Sequence, residues 1–242
     1  MTIDSVSMDP FSEKCWIVNA DFKQFGVHLG GRMTIIEVSE NRYWVHSPVF
    51  PSAGFINNMK HGSTITAVVM PNLYHHKYLN HFQRLFPKAR YFAPSGYEEK
   101  VKSARIDEEI SEKNQRDFGI QAIPILGMPR VNEWVFFHKL SKTLIISDLL
   151  FNICNSQSWM TRIVMWLNGA YNKLAITRVS KSFVEDKSLF IESIKAIIKL
   201  EFSNIILSHG TPIKDNAKDD FKLALSQFVN ISELKNESIV HV

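Results

Sequence analysis

The chain has 242 residues, of which 45% are hydrophobic, enough to fill the core of one two-layered α/β domain. Its 28 Lys plus Arg and 24 Asp plus Glu leave a net charge of +4, too small to indicate a nucleic-acid partner without a clustered basic patch. Two cysteines, Cys15 and Cys154, exclude a disulfide framework and a zinc knuckle.

The N-terminus lacks the basic and apolar segments of a secretory signal, and no apolar run is long enough to cross a membrane. With two free cysteines, this pattern predicts a protein of the reducing cytoplasm. The basic residues are unevenly placed. Residues 139–181 contain six of them and one acid, Asp148, so this segment alone carries a net charge of +5.

The first part of the chain predicts strands. β-Branched and aromatic residues on both sides of a short polar turn predict a hairpin over residues 31–49. A weak helix is expected at residues 55–60. The apolar run 65–70, stopped by Pro71, predicts a strand that is covered on both faces.

An α/β unit follows this strand. Residues 78–86 have helical apolar spacing and residues 90–93 resume a strand, so the order strand, loop, helix, strand is repeated. The charged stretch 98–116 is expected to form surface helix and loop. The remaining patterns predict strands at 120–126, 133–137, 143–147 and 204–207, and helices at 189–200 and 216–229.

The chain has no internal repeat and no low-complexity linker, which predicts a single domain over residues 1–242. Residues 152–186 form a lid-like insertion rich in aromatic and basic residues. Its apolar part, residues 159–171, is open to three interpretations: a lid over an apolar substrate, a membrane-surface helix, or core. Core is the commonest explanation of such a pattern. Peripheral membrane contact therefore stays an open alternative.

Three predicted strands end near a histidine or an aspartate. His75 and His76 follow the strand at 65–70, Asp148 directly follows the strand at 143–147, and His209 follows the strand at 204–207. If these strands are parallel, their ends meet at one edge of a sheet. Imidazole and carboxylate groups bind Zn²⁺, Fe²⁺ or Mn²⁺. Each residue alone is more often structural, but the coincidence of three strand ends predicts a metal site.

These motifs, in this order, resemble the metallo-β-lactamase superfamily over roughly residues 30–225. The resemblance rests on the hairpin and on four segments, residues 68–76, 87–94, 144–151 and 207–210. It implies an α/β fold of the αββα type, a four-layer sandwich of two sheets between helices.

The family's first motif is His-x-His-x-Asp-His, and its last two positions align with His75 and His76. Pro71 and Leu73 then stand where the first two histidines belong, and residues 127–130 replace the family's Gly-His-Thr segment with Gly-Met-Pro-Arg. The resemblance thus implies that the first metal's ligands are absent. The second metal's positions hold His75 (usually Asp), His76, Asp148 and His209, which implies one divalent metal, zinc in the first place and iron as the alternative.

Two functions of different classes remain open. The first is a mononuclear metal-dependent hydrolase, in which a metal-bound water attacks an ester, lactone, thioester or phosphate ester of a small-molecule substrate. The second is a non-catalytic binding module with a relic metal site and a basic aromatic surface for an acidic or membrane partner. Four protein ligands are typical of closed, structural zinc sites unless the metal expands its coordination shell to five or six. Iron-dependent redox chemistry ranks third.

Further polar residues near the predicted strand ends are candidates for substrate binding. Asn72 and Tyr74 flank the histidine pair, and His46 ends the hairpin strand. Arg130, Asn132 and Glu133 follow the segment in which the family holds a ligand. For each residue the alternative is structural, namely loop solvation or a hydrogen-bonded turn.

Overall fold

The computed structural model of the chain describes residues 8–50, 55, 62–226 and 228–229. The strands are β1 Met8–Ser12, β2 Cys15–Ala20, β3 Lys23–Gln24, β4 Val27–His28, β5 Gly31–Ser39, β6 Arg42–His46, β7 Thr64–Val69, β8 Arg90–Ala93, β9 Glu108–Glu109, β10 Ile120–Pro124, β11 Trp134–His138, β12 Thr143–Ile146 and β13 Asn204–Leu207. The helices are α1 Leu79–Leu85, α2 Tyr97–Lys100, α3 Glu112–Arg116, α4 Trp159–Leu167, α5 Arg178–Ser182, α6 Lys187–Ile198 and α7 Ala217–Ser226.

Two sheets make up the centre of the fold. The larger has the strand order β1-β2-β5-β6-β7-β8-β9, and the smaller has the order β10-β11-β12-β13. Strands β3 and β4 form a separate small hairpin. The strands β6 to β9 are parallel neighbours, as are β12 and β13, whereas the other pairs in the two sheets are antiparallel.

The sheets pack face to face because their strands are apolar on both sides. Ile36, Trp44 and Val69 of the larger sheet share one buried cluster with Phe136 and Ile206 of the smaller. Side chains one position along point to the opposite face of each strand, because successive residues of a strand alternate. This alternation leaves an apolar outer face on both sheets.

Helices cover both outer faces. Leu79 and Phe82 of α1 pack in the cluster on the larger sheet. Phe190 and Ile194 of α6, with Phe221 of α7, pack in the cluster on the smaller sheet. The order of layers is therefore helix, sheet, sheet, helix, which confirms the predicted αββα fold class.

The predicted strands from residue 31 onward and the three long helices are confirmed within a few residues at each end. The helix predicted at 55–60 lies outside the described residues apart from Phe55. Strands β1 and β2 were not predicted. The charged stretch 98–116 contains α3, the last part of α2 and the short strand β9.

Parallel pairing brings the chemically important strand ends together. His46 ends β6, and the loop that carries His75 follows β7 in the same sheet. Asp148 and His209 each follow a strand of the smaller sheet by one intervening residue. The expectation of a single sheet edge is therefore wrong, because the strand ends belong to two sheets that pack against each other.

Candidate metal centre

Asp148 lies between two histidine rings. Its Oδ2 is 3.3 Å from Nε2 of His75, and its Oδ1 is 3.3 Å from Nε2 of His209. One ligand atom from each of the three residues lies within 4.8 Å of the other two. Among the described residues this is the one cluster of His, Cys, Asp and Glu with that property. A single ion placed between them could contact all three.

The proton of the His209 ring is held on the side away from Asp148. Nδ1 of His209 lies 2.6 Å from the carbonyl oxygen of Gly30, and a carbonyl can only accept a hydrogen bond. Nδ1 therefore carries the proton, and Nε2 of the neutral ring presents a lone pair to the Asp148 carboxylate. Two acceptors face each other there, so a cation is required between them, either a proton on Nε2 or a metal ion.

The His75 ring is oriented by a serine hydroxyl. Nδ1 of His75 lies 2.6 Å from Oγ of Ser47, which leaves Nε2 directed at Asp148. Ser47 itself has a positive φ of 52°, a conformation that is strained for a residue with a side chain. Its backbone N–H donates to the carbonyl of Val69, so the ends of β6 and β7 hold it in place. Hydrogen bonds of this kind fix metal-binding histidines in proteins.

The Asp148 loop is held by two buried side chains. Glu133 accepts hydrogen bonds from the backbone N–H groups of Ser147, Asp148 and Leu149 at 3.0–3.1 Å. Asn72 donates from Nδ2 to Oδ2 of Asp148 at 2.8 Å. Because both groups are buried, they keep the carboxylate in one position without competition from water.

The two neighbouring carboxyl groups differ in their affinity for protons. Burial alone would raise the pKa of Asp148, but the His75 and His209 rings hold it well below its usual range. Burial, and then the nearby Asp148 charge, raises the pKa of Glu133. The negative charge of the pair is therefore concentrated on Asp148, where it faces the two rings.

Aromatic rings and an arginine enclose His209. Phe151 stacks on its ring at 5.4 Å between centroids, and Phe22 lies at 5.6 Å. Arg32 donates from Nη1 to the carbonyls of Leu207 and Gly210, both at 2.6 Å, so it ties down the chain on either side of His209. Burial lowers the pKa of Arg32 to about 10, which still leaves it charged at neutral pH.

The three clustered residues lie on the wall of a cavity of about 790 Å³. That volume is in the range of cavities that bind small molecules. Most of the remaining wall is apolar, with Phe22, Leu29, Val49, Val131, Phe151 and Met165, while Lys23, Arg32 and Lys77 contribute positive charge. The cavity therefore suits a largely apolar molecule that places a polar group near His75, Asp148 and His209.

His76 does not join the cluster of His75, Asp148 and His209. Its side chain is exposed and lines the cavity beside Tyr74. The structure thus brings together three of the four residues that were expected to bind the metal. If these three residues bound a metal, they would leave a coordination position open, as in catalytic zinc sites, whereas the four predicted from the sequence would close it.

Of the six residues predicted to bind substrate, Tyr74 lines the cavity and the five others do not. Asn72 is fully buried, and its Oδ1 accepts from the backbone N–H of Tyr74 and His75, so it positions the loop instead of a ligand. His46 is buried against Trp44, and burial lowers its pKa well below the usual value.

Arg130 and Asn132 also point elsewhere. Arg130 is exposed and lies over the ring of Phe183 at 5.3 Å, and Asn132 donates from Nδ2 to the carbonyl of Ser95 at 3.0 Å. These two, like Asn72 and His46, are not on the cavity wall, so their contact with a substrate stays a prediction. Each side chain bonds or packs against another part of the protein.

Sequence reasoning missed two contributors to the site and assigned a third the wrong role. Arg32 and the carbonyl of Gly30 have no signal in one sequence, because their role depends on contacts with residues nearly two hundred positions away. Glu133 was placed among residues that could bind substrate. Glu133 directly precedes the apolar strand β11 and is buried. Its place beside that strand was the signal in the sequence that the carboxylate faces inward.

The comparisons with known proteins identify the fold. No protein-family model and no curated protein sequence match the chain. Among solved structures, a metallo-β-lactamase from Pontibacter korlensis matches with a TM-score of 0.61 at 13% identity, covering 92% of this chain and 99% of that one. The metallo-β-lactamase FIM-1 from Pseudomonas aeruginosa, in its mono-zinc form, matches with a TM-score of 0.64 at 11% identity, covering 94% and 96%.

A third solved structure matches over part of its length. The flavodiiron core of Flv1 from Synechocystis, a metal-soaked structure, gives a TM-score of 0.57 at 11% identity and covers 92% of this chain but 61% of that one. At such low identities the likeness establishes the arrangement of strands and helices and not the chemistry. The chain therefore has the metallo-β-lactamase fold, as its motifs predicted.

Proposed function

We propose that the chain is a metal-dependent hydrolase that holds one divalent metal between His75, Asp148 and His209. The observation that carries this proposal is the orientation of His209: its Nδ1–H is held by the carbonyl of Gly30, so Nε2, which faces the carboxylate, is the nitrogen available to a metal. Such an arrangement is stabilised by a cation, and two imidazoles with one carboxylate form a donor set suited to zinc or ferrous iron.

A divalent metal in this position would act as a Lewis acid and would lower the pKa of a coordinated water. The chain itself supplies the orientation. Ser47 and Gly30 fix the two rings, and Asn72 fixes the carboxylate. The apolar wall of the cavity excludes water around a bound substrate, which strengthens the electrostatic contacts inside it. Esters, lactones, thioesters and phosphate esters are the proposed substrate classes.

A single metal is supported by two observations. Pro71 and Leu73 stand where the family's first metal would need histidines, and neither side chain can bind one. FIM-1, which has the same fold, has been solved in a mono-zinc form. The proposal therefore does not need the missing half of the family's site.

Iron-dependent redox chemistry is a second candidate. Two histidines and one carboxylate are also the donor set of mononuclear iron oxygenases. Because His76 lies outside the cluster, the cluster of this chain contains the same three donor groups. The flavodiiron core shares the fold as well. Oxygen consumption by the iron-loaded protein with a reductant, in the absence of hydrolysis, would favour this candidate.

The test of hydrolysis uses the chain loaded with zinc and, separately, treated with a chelator. Chromogenic carboxylic esters, a lactone, a thioester and a phosphate monoester are offered to the wild type and to Asp148→Asn and His209→Gln. His28→Gln is the matched control, because His28 is exposed and does not line the cavity. At least one substrate class should be hydrolysed by the wild type and the control, and about 100-fold less by both site variants or after chelation.

Hydrolysis that survives chelation, or no hydrolysis of any of the four classes by the zinc-loaded protein, would contradict the proposal. In the second case the non-catalytic binding module becomes the better interpretation of the fold.

A further inference from the structure

Helix α4 exposes its apolar side to solvent. Trp159, Met160, Ile163, Trp166 and Leu167 fall on one side of the helix by their spacing, and all five are exposed. Trp166 is 71% exposed and Trp159 64%. The opposite side, with Thr161 and Met165, is buried against the body of the protein. Of the helix, only this inner side belongs to the protein core.

The β3–β4 hairpin extends this exposed side. Phe25, in its turn, is 94% exposed. The hairpin packs on α4: the backbone N–H of His28 donates to Oγ1 of Thr161 at 2.8 Å, and a Cβ on Gly26 would lie 2.8 Å from Sδ of Met160. We call the exposed side chains of Phe25, Trp159, Met160, Ile163, Trp166 and Leu167 the apolar surface. Adjacent exposed side chains of this size on one face mark a site of interaction.

Basic residues lie on helix α4 and in the segment that follows it. Arg162 lies on α4 itself, and the backbone N–H of Arg178 donates to the carbonyl of Asn168, directly after the helix. Lys173 is also exposed. Residues 149–184 contain no aspartate or glutamate. In the part of the chain that the structure describes, no carboxylate pairs with these three basic side chains.

The charge distribution decides between possible occupants. A second copy of the chain packed by the same face would bring two basic clusters together, which is repulsive. An anionic bilayer complements those charges, and tryptophan side chains prefer the boundary between lipid and water. An exposed apolar helix face beside lysine and arginine is typical of helices that lie in a membrane interface. Among the described residues no helix is long and apolar enough to cross a membrane.

We propose that the apolar surface docks the protein onto an anionic lipid bilayer, with Trp159, Trp166 and Phe25 inserted at the level of the headgroups. Arg162, Lys173 and Arg178 contact the lipid phosphates around them. Docking does not depend on a bound metal, since none of these residues belongs to the metal centre.

Docking also brings one wall of the cavity to the bilayer. Met165 and Asn168 of the α4 region and Val179, which is itself exposed, line the cavity. An amphiphilic ester could then enter the cavity from the lipid, a consequence that rests on the proposed function. The docking itself is tested without any activity, so the failure of one proposal is distinguishable from the failure of the other.

The test is co-sedimentation of the full chain with vesicles of phosphatidylcholine alone and of phosphatidylcholine with phosphatidylglycerol. We expect binding to the anionic vesicles that weakens as salt is added. The double variant Trp159→Ser/Trp166→Ser should bind at least about tenfold more weakly, and so should the triple variant Arg162→Gln/Lys173→Gln/Arg178→Gln. The control Leu223→Ser alters another exposed apolar residue, 67% exposed on α7, and should bind as the wild type does.

Circular dichroism checks that each variant is folded, and all the changed side chains are exposed. The proposal is overturned by a wild type that does not bind anionic vesicles, or by tryptophan variants that bind as well as the control. It is also overturned if gel filtration shows a wild-type dimer that the tryptophan variant dissociates while neither binds vesicles. The apolar surface would then be an interface between two copies.

Discussion

At the level of single residues, the candidate metal centre depends on three side chains that follow strands of the two sheets. The position of His75, Asp148 and His209 after apolar strands was enough to select them from nine histidines and many carboxylates. Nothing in the sequence separates His75 from His76, because adjacent loop residues point in different directions according to their backbone angles. The structure separates them: His75 contacts Ser47 and faces Asp148, whereas His76 is exposed.

Removal of that contact should weaken the site without removing a ligand. Ser47→Ala deletes the hydroxyl 2.6 Å from Nδ1 of His75 and leaves the ring free to rotate. We expect the affinity for zinc, measured by competition with a chromophoric chelator, to fall about 10- to 100-fold. Ser103→Ala, an exposed serine outside the cavity lining, is the control. Equal affinities of the two variants would show that Ser47 does not orient the ring.

At the level of elements, the turns that follow the parallel strands set the geometry of the centre. Gly210 follows His209 with a φ of 93°, and a Cβ there would lie 2.2 Å from the carbonyl oxygen of Asn152. The close approach of these two backbones also aligns the insertion with the end of β13, because the N–H of Thr211 donates to that same carbonyl. A glycine is therefore required on two grounds, conformation and space.

A comparison of Gly210→Ala with Gly119→Ala distinguishes the cost of the backbone conformation from the cost of the steric clash. Gly119 also has a positive φ, 74°, but no atom lies within 4 Å of a Cβ built there. We expect Gly119→Ala to lower the free energy of unfolding by about 1–2 kcal/mol, the cost of the left-handed conformation. Gly210→Ala should lower it more, and should also weaken zinc binding at His209. Urea unfolding measures the loss of stability in each variant, and competition with a chromophoric chelator measures the affinity for zinc. Equal losses of stability in the two variants would contradict the steric argument.

Most strands and long helices could be predicted because their apolar spacing follows from burial on one or both faces. Strand β1 was missed because its sequence Met-Asp-Pro-Phe-Ser lacks a regular alternation. The exposure of α4 could not be predicted either, since an apolar stripe has the same spacing whether it faces core or solvent. Only the packing of Thr161 and Met165 shows which side is turned inward.

At the level of the whole molecule, two apolar sheets pack face to face and bring strand ends from both to one place. The fold class could be predicted from the order of strands and motifs. The division of the site between two sheets could not, because one sequence does not reveal which strands are neighbours across an interface. The cavity wall likewise combines the insertion, the small hairpin, the larger sheet and the loops that follow strands of the smaller sheet.

The packed fold should lose stability in mild acid partly through His138. Burial, and secondly the charge of Lys14, lowers the pKa of His138 from 6.5 to about 4. The unfolded chain therefore binds a proton more readily, so the free energy of unfolding should fall as the pH decreases from about 6.5 to about 4. The contribution is fully present above the unfolded pKa.

The variant His138→Asn keeps a polar group close to Oγ of Ser141, which lies 2.7 Å from Nδ1 of the histidine. Its loss of stability between pH 7 and pH 5, measured by urea unfolding, should be smaller than that of the wild type. His28→Asn, at an exposed position, should follow the wild type. A pH dependence that is the same in all three proteins would show that His138 does not contribute.

The most direct test of the account is the metal content of the chain purified without chelators and then dialysed against a small excess of zinc. Elemental analysis should give about one metal ion per chain for the wild type and for His76→Ala, since His76 lies outside the cluster. It should give close to none for His209→Ala and Asp148→Ala. A wild type that retains no metal, or a His209→Ala variant that retains as much as the wild type, would contradict a metal centre between His75, Asp148 and His209.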